Sequence, residues 1–159
     1  MSSCPLLEKL MAPHVDALVV IEGGPWVCSR LKFLDLTFCF DPPSTVSCLQ
    51  PLIFDRLSKL TRLEHLCMVG PERQHNIGGT VDMKIGYGLD KLSTLQLLDS
   101  VRFRKMTWSM GDMEVDWMLE HWKSLTLFMG SPKMFDDTVR EALVKRIKRH
   151  GILVDLTDL

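Results

Sequence analysis

A trio of apolar residues spaced three apart returns again and again along this chain, and that recurrence limits the possible folds more than any single segment does. Leu31 and Leu34 come back as Leu63 and Leu66, and again as Leu95 and Leu98, at steps of 32 residues. Cys28, Leu60 and Leu92 stand three positions before each pair. Upstream, the same spacing holds Cys4, Leu7 and Leu10; downstream it holds Trp122, Leu125 and Phe128. A degenerate copy, Gly151-Ile152-Leu153-Val154-Asp155-Leu156, closes the series. Units this short cannot each enclose a core, so they must stack and share one.

Between these trios the hydrophobic period changes from strand-like to helical. Val115, Met118, Leu119 and Trp122 fall on one helical face, opposite Asp112, Glu114, Asp116 and Glu120, and Asp112 is placed to cap the helix. Asp137 to Arg149 repeats the design with Val139, Ala142, Leu143 and Ile147, and Gly151 is suited to the stop. Pro51 fits the first turn of a helix through Phe54, Leu57 and Leu60. Asp41-Pro42-Pro43-Ser44 and the stretch from Pro71 to Thr80 read as loops.

Leu31-Lys32-Phe33-Leu34-Asp35-Leu36 matches the L-x-x-L-x-L core of a leucine-rich repeat, whose units each supply one strand and a helix or 3₁₀ turn. Leu63-Glu64-His65-Leu66-Cys67-Met68 keeps the register, and Leu95-Gln96-Leu97-Leu98-Asp99-Ser100 ends on a polar residue. The expected fold is an α/β leucine-rich-repeat solenoid, with a curved parallel sheet and helices on the convex side. It is expected to form one domain over residues 1–159, of five to six units.

Wording as well as period carries a family resemblance. The segments Cys4-Pro5-Leu6-Leu7-Glu8, Pro25-Trp26-Val27-Cys28, Phe54-Asp55-Arg56-Leu57-Ser58-Lys59-Leu60-Thr61-Arg62-Leu63-Glu64, Gly88-Leu89-Asp90-Lys91-Leu92-Ser93-Thr94-Leu95 and Trp117-Met118-Leu119-Glu120-His121-Trp122 resemble the C-terminal repeats of fungal F-box/leucine-rich-repeat proteins. That resemblance covers most of residues 3 to 130. It implies repeats that select the substrate of a ubiquitin ligase, while an N-terminal F-box docks on the ligase adaptor. No F-box is present in this chain, which enters part-way through a repeat at Cys4, so an adaptor is expected as a partner only if an F-box is supplied separately.

Composition narrows the function classes. Nineteen basic and twenty acidic side chains leave a formal charge of −1, which gives no broad attraction for nucleic acid or anionic lipid. Five cysteines without a C-x-x-C pair indicate reduced, core-type thiols. No basic segment followed by an apolar run opens the chain, and Leu18-Val19-Val20-Ile21 is too short to cross a bilayer. These signs predict an intracellular protein, cytoplasmic or nuclear, without a membrane partner.

Candidate chemistry is sparse. Asp112, Glu114, Asp116, Glu120 and His121 lie around a helix with no metal-ligand spacing, and a solvated face explains them. Cys67 has His65 close by, which suits a core thiol better than a nucleophile. Gly23-Gly24 and Gly78-Gly79 fit neither phosphate-loop pattern, and no G-x-S-x-G occurs. Lys145-Arg146-Ile147-Lys148-Arg149 could bind phosphate or complement a helix dipole, and Trp108, Trp117 and Trp122 could stack a ligand or pack a core. No cofactor, metal or catalytic residue is expected. The reading is a protein-binding module, with a truncated structural or non-functional fragment as the alternative and an enzyme behind both. Taking Leu31, Leu34, Leu36 and their equivalents as inward, the concave-face partner-binding residues are Phe33, Asp35 and Thr37, His65 and Cys67 with Val69, Leu97 and Asp99 with Val101, then Leu127 and Met129. The partner is a protein or peptide.

Overall fold

The computed structural model describes residues 4–41, 43–70, 81–104, 110–130 and 137–156. Six strands form one sheet in strict sequence order: β1 (Lys9–Asp16), β2 (Phe33–Cys39), β3 (His65–Val69), β4 (Ser100–Arg104), β5 (Leu127–Met129) and β6 (Leu153–Asp155). Every neighbouring pair is parallel, and β1 and β6 are the two open edges. Parallel neighbours cannot be joined by a tight turn, so each connection crosses over one face of the sheet. The crossovers carry α1 (Ala17–Glu22), α2 (Val46–Leu57), a 3₁₀ helix at Leu89–Thr94, α3 (Asp112–His121) and α4 (Asp137–Arg149). Crossovers of one hand that always advance in one direction land on the same side.

That side holds the core. Leu34, Leu66, Val101, Phe128 and Val154 pair across successive strands, and all are buried. They share one cluster with Ile53, Phe54 and Leu57 of α2, Leu89 and Leu92 of the 3₁₀ helix, Val115 and Met118 of α3, and Leu143 and Ile147 of α4. The ring of Phe103 meets that of Phe128 edge-on at 5.8 Å.

One turn is repeated before every strand and explains the apolar spacing. The backbone N–H of Leu7, Leu31, Leu63, Leu98, Leu125 and Gly151 donates to the carbonyl three residues back, on Cys4, Cys28, Leu60, Leu95, Trp122 and Lys148, at 2.9–3.2 Å. Amides just past each turn then donate to the preceding unit: Lys32 and Phe33 to Glu8 O, Glu64 and His65 to Lys32 O, Asp99 and Ser100 to Glu64 O, and Thr126 and Leu127 to Asp99 O. Register is thus fixed by the turn, one residue ahead of each strand.

This hydrogen-bond frame corrects the fourth unit. The structural partner of Leu31 and Leu63 is Leu98, 35 residues after Leu63, and not Leu95; Leu95 instead matches Cys28 and Leu60. Five apolar residues, Leu89, Leu92, Leu95, Leu98 and Val101, stand three apart, so the pattern fits more than one frame. A 3₁₀ helix has three residues per turn, and Leu89–Thr94 adopts one, so its own buried stripe imitates the strand-entrance spacing.

Other elements also differ from expectation. α2 begins at Val46, five residues before Pro51, which stands inside the helix and packs on Gly88. Gly88 has φ +93°, a conformation that strains any side chain, and a Cβ there would lie a tight 3.1 Å from the Pro51 Cα, so both favour glycine. Gly111, not Asp112, caps α3; its N–H donates to Glu114 Oε2 at 2.9 Å. In α4 the buried stripe is Leu143 and Ile147, while Val139 and Ala142 are exposed. Gly151 takes φ +79° just past its end, as the stop signal predicts. Pro43–Thr45 forms a 3₁₀ turn within a segment expected to be a loop. Pro71 to Thr80, Gly78-Gly79, Pro42 and Trp108 lie outside the described residues.

Candidate interaction face

The sheet face opposite the core presents two aligned rows. Strand pairing places Lys9, Phe33, His65, Ser100, Leu127 and Leu153 in one row, and Met11, Asp35, Cys67, Arg102, Met129 and Asp155 in the other. Alternation along each strand sends these side chains away from Leu34, Leu66, Val101 and Phe128. In the first row Lys9 Nζ sits 4.5 Å above the Phe33 ring, and that ring lies 6.1 Å from the His65 ring. His65 Nδ1 is 2.8 Å from Ser100 Oγ.

Of the residues expected on this face, Phe33, Asp35, His65, Leu127 and Met129 are there and half-exposed. Thr37 and Cys67 have the right orientation, but their neighbours cover them, leaving 6% and 4% exposed. Leu97 and Asp99 are corrections: Leu97 lies exposed in the turn before β4, and Asp99 stands at the rim, level with Lys32 and Glu64. Val101, expected outward, is wholly buried. The three-residue slip is the cause of all three. The same slip hid Arg102 and Arg104, exposed residues of β4 that the 35-residue step would have shown. Lys9, Met11 and His14 were absent because outward positions were not carried back to the first unit.

At the carboxyl ends of β1 to β4 this face deepens into a cleft of about 400 Å³ lined by Met11, His14, Asp35, Thr37, Val69 and Arg104. Cys67 borders it chemically through Asp35. Burial, then the Asp35 charge, then a hydrogen bond to Asp35 push the Cys67 thiol up to about 11, against the opposing pull of Arg104 and Arg102. Cys67 is therefore a protonated thiol at neutral pH, unsuited to nucleophilic attack. Cys39 Sγ lies 3.9 Å from His14 Nδ1, a pair that a separation of 25 residues conceals in the sequence. Burial and the Asp16 carboxylate raise the Cys39 thiol as well, so it too stays protonated. None of the five cysteines forms a disulfide; Cys28 and Cys67 are buried, whereas Cys4 and Cys48, expected as core-type thiols, are exposed.

Ser100, His65 and Asp99 come together as a serine–histidine–aspartate group that no local motif announces. A working triad places serine and carboxylate on opposite ring nitrogens. Here Ser100 Oγ and Asp99 Oδ2 both approach Nδ1, at 2.8 and 3.9 Å, and Ser100 is only 3% exposed. Thr126 Oγ1 donates to Asp99 Oδ1 at 2.7 Å, tying the carboxylate to the next unit. This arrangement departs from that opposed geometry and ties adjacent strands together.

Of the remaining candidates, Trp117, Trp122 and Arg146 are taken up by packing and ion pairing, whereas Lys145, Lys148 and Arg149 stay exposed on α4. Trp122 is buried and donates its Nε1–H to Leu92 O at 3.2 Å; Trp117 meets it edge-on at 5.4 Å and stacks on His121 at 4.8 Å. Arg146 bridges from α4 to Asp112 and Asp116 of α3. Among the described residues no group of three histidine, cysteine or acidic side chains is placed to hold a metal ion, and no helix is long and apolar enough to cross a membrane. Compared with protein-family models, with curated proteins and with solved structures, the chain finds no match in any of the three.

Proposed function

We propose that the chain is a short leucine-rich-repeat solenoid that binds a protein partner across the uncovered sheet face, as the substrate-selecting repeats of an F-box ubiquitin-ligase receptor do. The observation that supports this most is the pair of aligned rows, in which Phe33, Leu127 and Met129 stand half-exposed among Lys9, Asp35, His65 and Arg102. Apolar anchors surrounded by charges that fix orientation are the ordinary anatomy of a protein interface. One-way crossovers support the solenoid reading, because among the described residues they place every helix on one side of the sheet and none on the other. The acceptor pattern around His65 and the raised Cys67 and Cys39 thiols favour a binding role over catalysis. The reading needs no metal or cofactor, and an adaptor joins only through an F-box on another segment.

The test is quantitative capture from native lysate with the wild-type chain, a Phe33→Ala/His65→Ala/Met129→Ala variant, and a Lys145→Ala/Lys148→Ala control on α4. Proteins retained by the wild type and the control and lost with the triple variant support the reading. Retention unchanged by the triple variant, with its fold intact by circular dichroism, refutes the face assignment.

A further inference from the structure

The open face carries a pair of guanidinium groups that have no ion-pair partner among the described residues, and we propose that it reads an acidic segment of its partner, extended and with carboxylates at alternate positions. This deepens the protein-binding reading and rests on it. Arg102 and Arg104 are two residues apart on β4, so both project from the open face, roughly 6.8 Å apart along the strand. Other charges around the face are already engaged: Arg30 with Glu8 at 3.1 Å, Lys32 with Glu64 at 3.2 Å, and Lys9 over the Phe33 ring. Asp35 is hydrogen-bonded with Cys67. Arg102 and Arg104 are exposed and form no ion pair among the described residues.

Two like charges on one strand repel each other, and a paired anion relieves that repulsion. Guanidinium forks match carboxylates in a bidentate manner, which favours arginine where an acidic side chain must be oriented. An extended peptide repeats its same-face side chains at the spacing of the two arginines, so a Glu-x-Glu stretch lying along β4 meets both at once. Arg104 also lines the 400 Å³ cleft, whose Met11 and Val69 walls offer apolar contact to the segment's flanking residue. The apolar Met11 and Val69 walls, with Phe33, Leu127 and Met129 half-exposed on the same face, suit the side chains of a peptide better than a sugar-phosphate backbone.

Fluorescence anisotropy on the full chain tests this with four labelled probes: a Glu-Gly alternating peptide, a Lys-Gly alternating peptide, a Ser-Gly peptide and a single-stranded oligonucleotide. The Glu-Gly peptide is expected to bind best, more weakly as salt rises. Arg102→Gln and Arg104→Gln should each weaken it about tenfold, equivalent to about 1.4 kcal/mol. The Arg102→Glu/Arg104→Glu variant should prefer the Lys-Gly peptide, and Lys145→Gln/Lys148→Gln should change nothing. Equal binding of all peptides, insensitivity to both arginine variants, or tighter binding of the oligonucleotide lost with those variants would each overturn the acidic-segment proposal. Amide shift mapping separates the two readings: peptide signals confined to Phe33, Leu127 and Met129 keep the interaction face and discard the arginine role, whereas shifts confined to α4 discard both.

Discussion

Truncating Val101 to alanine tests the corrected register directly, because the two possible frames make opposite statements about one side chain. If Leu95 were the equivalent of Leu63, Val101 would face outward and its loss would be nearly silent. In the structure Val101 is wholly buried between Leu66 and Phe128 on the neighbouring strands. Removing its two methyl groups forfeits about 1.6 kcal/mol of transfer free energy at ~0.8 kcal/mol per buried carbon. The cavity left behind adds roughly 1 kcal/mol, since the flanking strands are held by their ladder and relax only in part. Val101→Ala should therefore cost about 2–3 kcal/mol, a fall of roughly 5–10 °C in Tm for a chain of this size. Arg102→Ala, one residue along and exposed, should stay within about 0.5 kcal/mol. Urea titrations followed by far-ultraviolet circular dichroism measure both, with an unchanged m-value showing that the same surface is exposed on unfolding. A silent Val101→Ala beside a costly Arg102→Ala would refute the hydrogen-bond frame and, with it, the assignment of both rows.

Further perturbations probe other layers. The Cys67 thiol, at about 11 when folded against an ordinary 9.0, keeps its proton in the native state after the unfolded chain has released it. Cys67 contributes stability that is fully present below pH 9 and is lost as pH rises from about 9 to 11, by up to roughly 2–3 kcal/mol; Cys67→Ala should reduce the slope to what the raised Cys28 and Cys39 thiols contribute, and a slope as steep as the wild type's contradicts the assignment. In alkylation at neutral pH, exposed Cys48 should react well before Cys67, read by peptide mass. Gln50 is buried, accepts the Asp82 N–H at 2.8 Å and donates to Tyr87 O at 3.2 Å, so Gln50→Leu should cost about 2–3 kcal/mol in chemical denaturation; a neutral result would mean that these contacts are not made in solution. Gly151→Ala at φ +79° should cost roughly 1–2 kcal/mol by the same assay, with no loss expected if that turn were right-handed.

The parallel sheet and its leucines were legible because burial at a fixed spacing is written directly into residue type. Leu31, Leu34, Leu63, Leu66, Leu125 and Phe128 occupy the places that their spacing implies, and α3 and α4 lie on their periodic stretches. What escaped the sequence depended on information that spacing does not contain. A run of five apolar residues three apart has no internal mark of where a 3₁₀ helix stops and a strand-entrance turn begins; only the backbone acceptors on Glu64 and Asp99 decide it. Pro51 looked like a helix start because proline is favoured there, yet Gln50, anchored to Asp82 and Tyr87 from within the helix, lies one residue before it. The Ser100–His65–Asp99 group and the Cys39–His14 pair join residues from adjacent strands, so no local pattern could announce them.

Those separate misses share one physical origin, and it bears on how such a face acquires specificity. Inward positions are constrained by the shared core and must be apolar in every unit, so they repeat. Outward positions lie outside that core, so packing does not make them repeat. Phe33, His65, Ser100 and Leu127 share one row, yet they mix an aromatic ring, an imidazole, a hydroxyl and an aliphatic side chain. Neighbouring strands lie roughly 4.8 Å apart, so six of them set a row of about 24 Å, the reach of an extended segment of some seven residues. A partner crossing that row would meet a cation over an aromatic ring, an imidazole fixed by serine, and then apolar side chains, an order that sliding by one strand destroys. The non-repeating rows can therefore hold a segment in one alignment, and the repeating core that hides them from sequence patterns is what keeps their spacing constant.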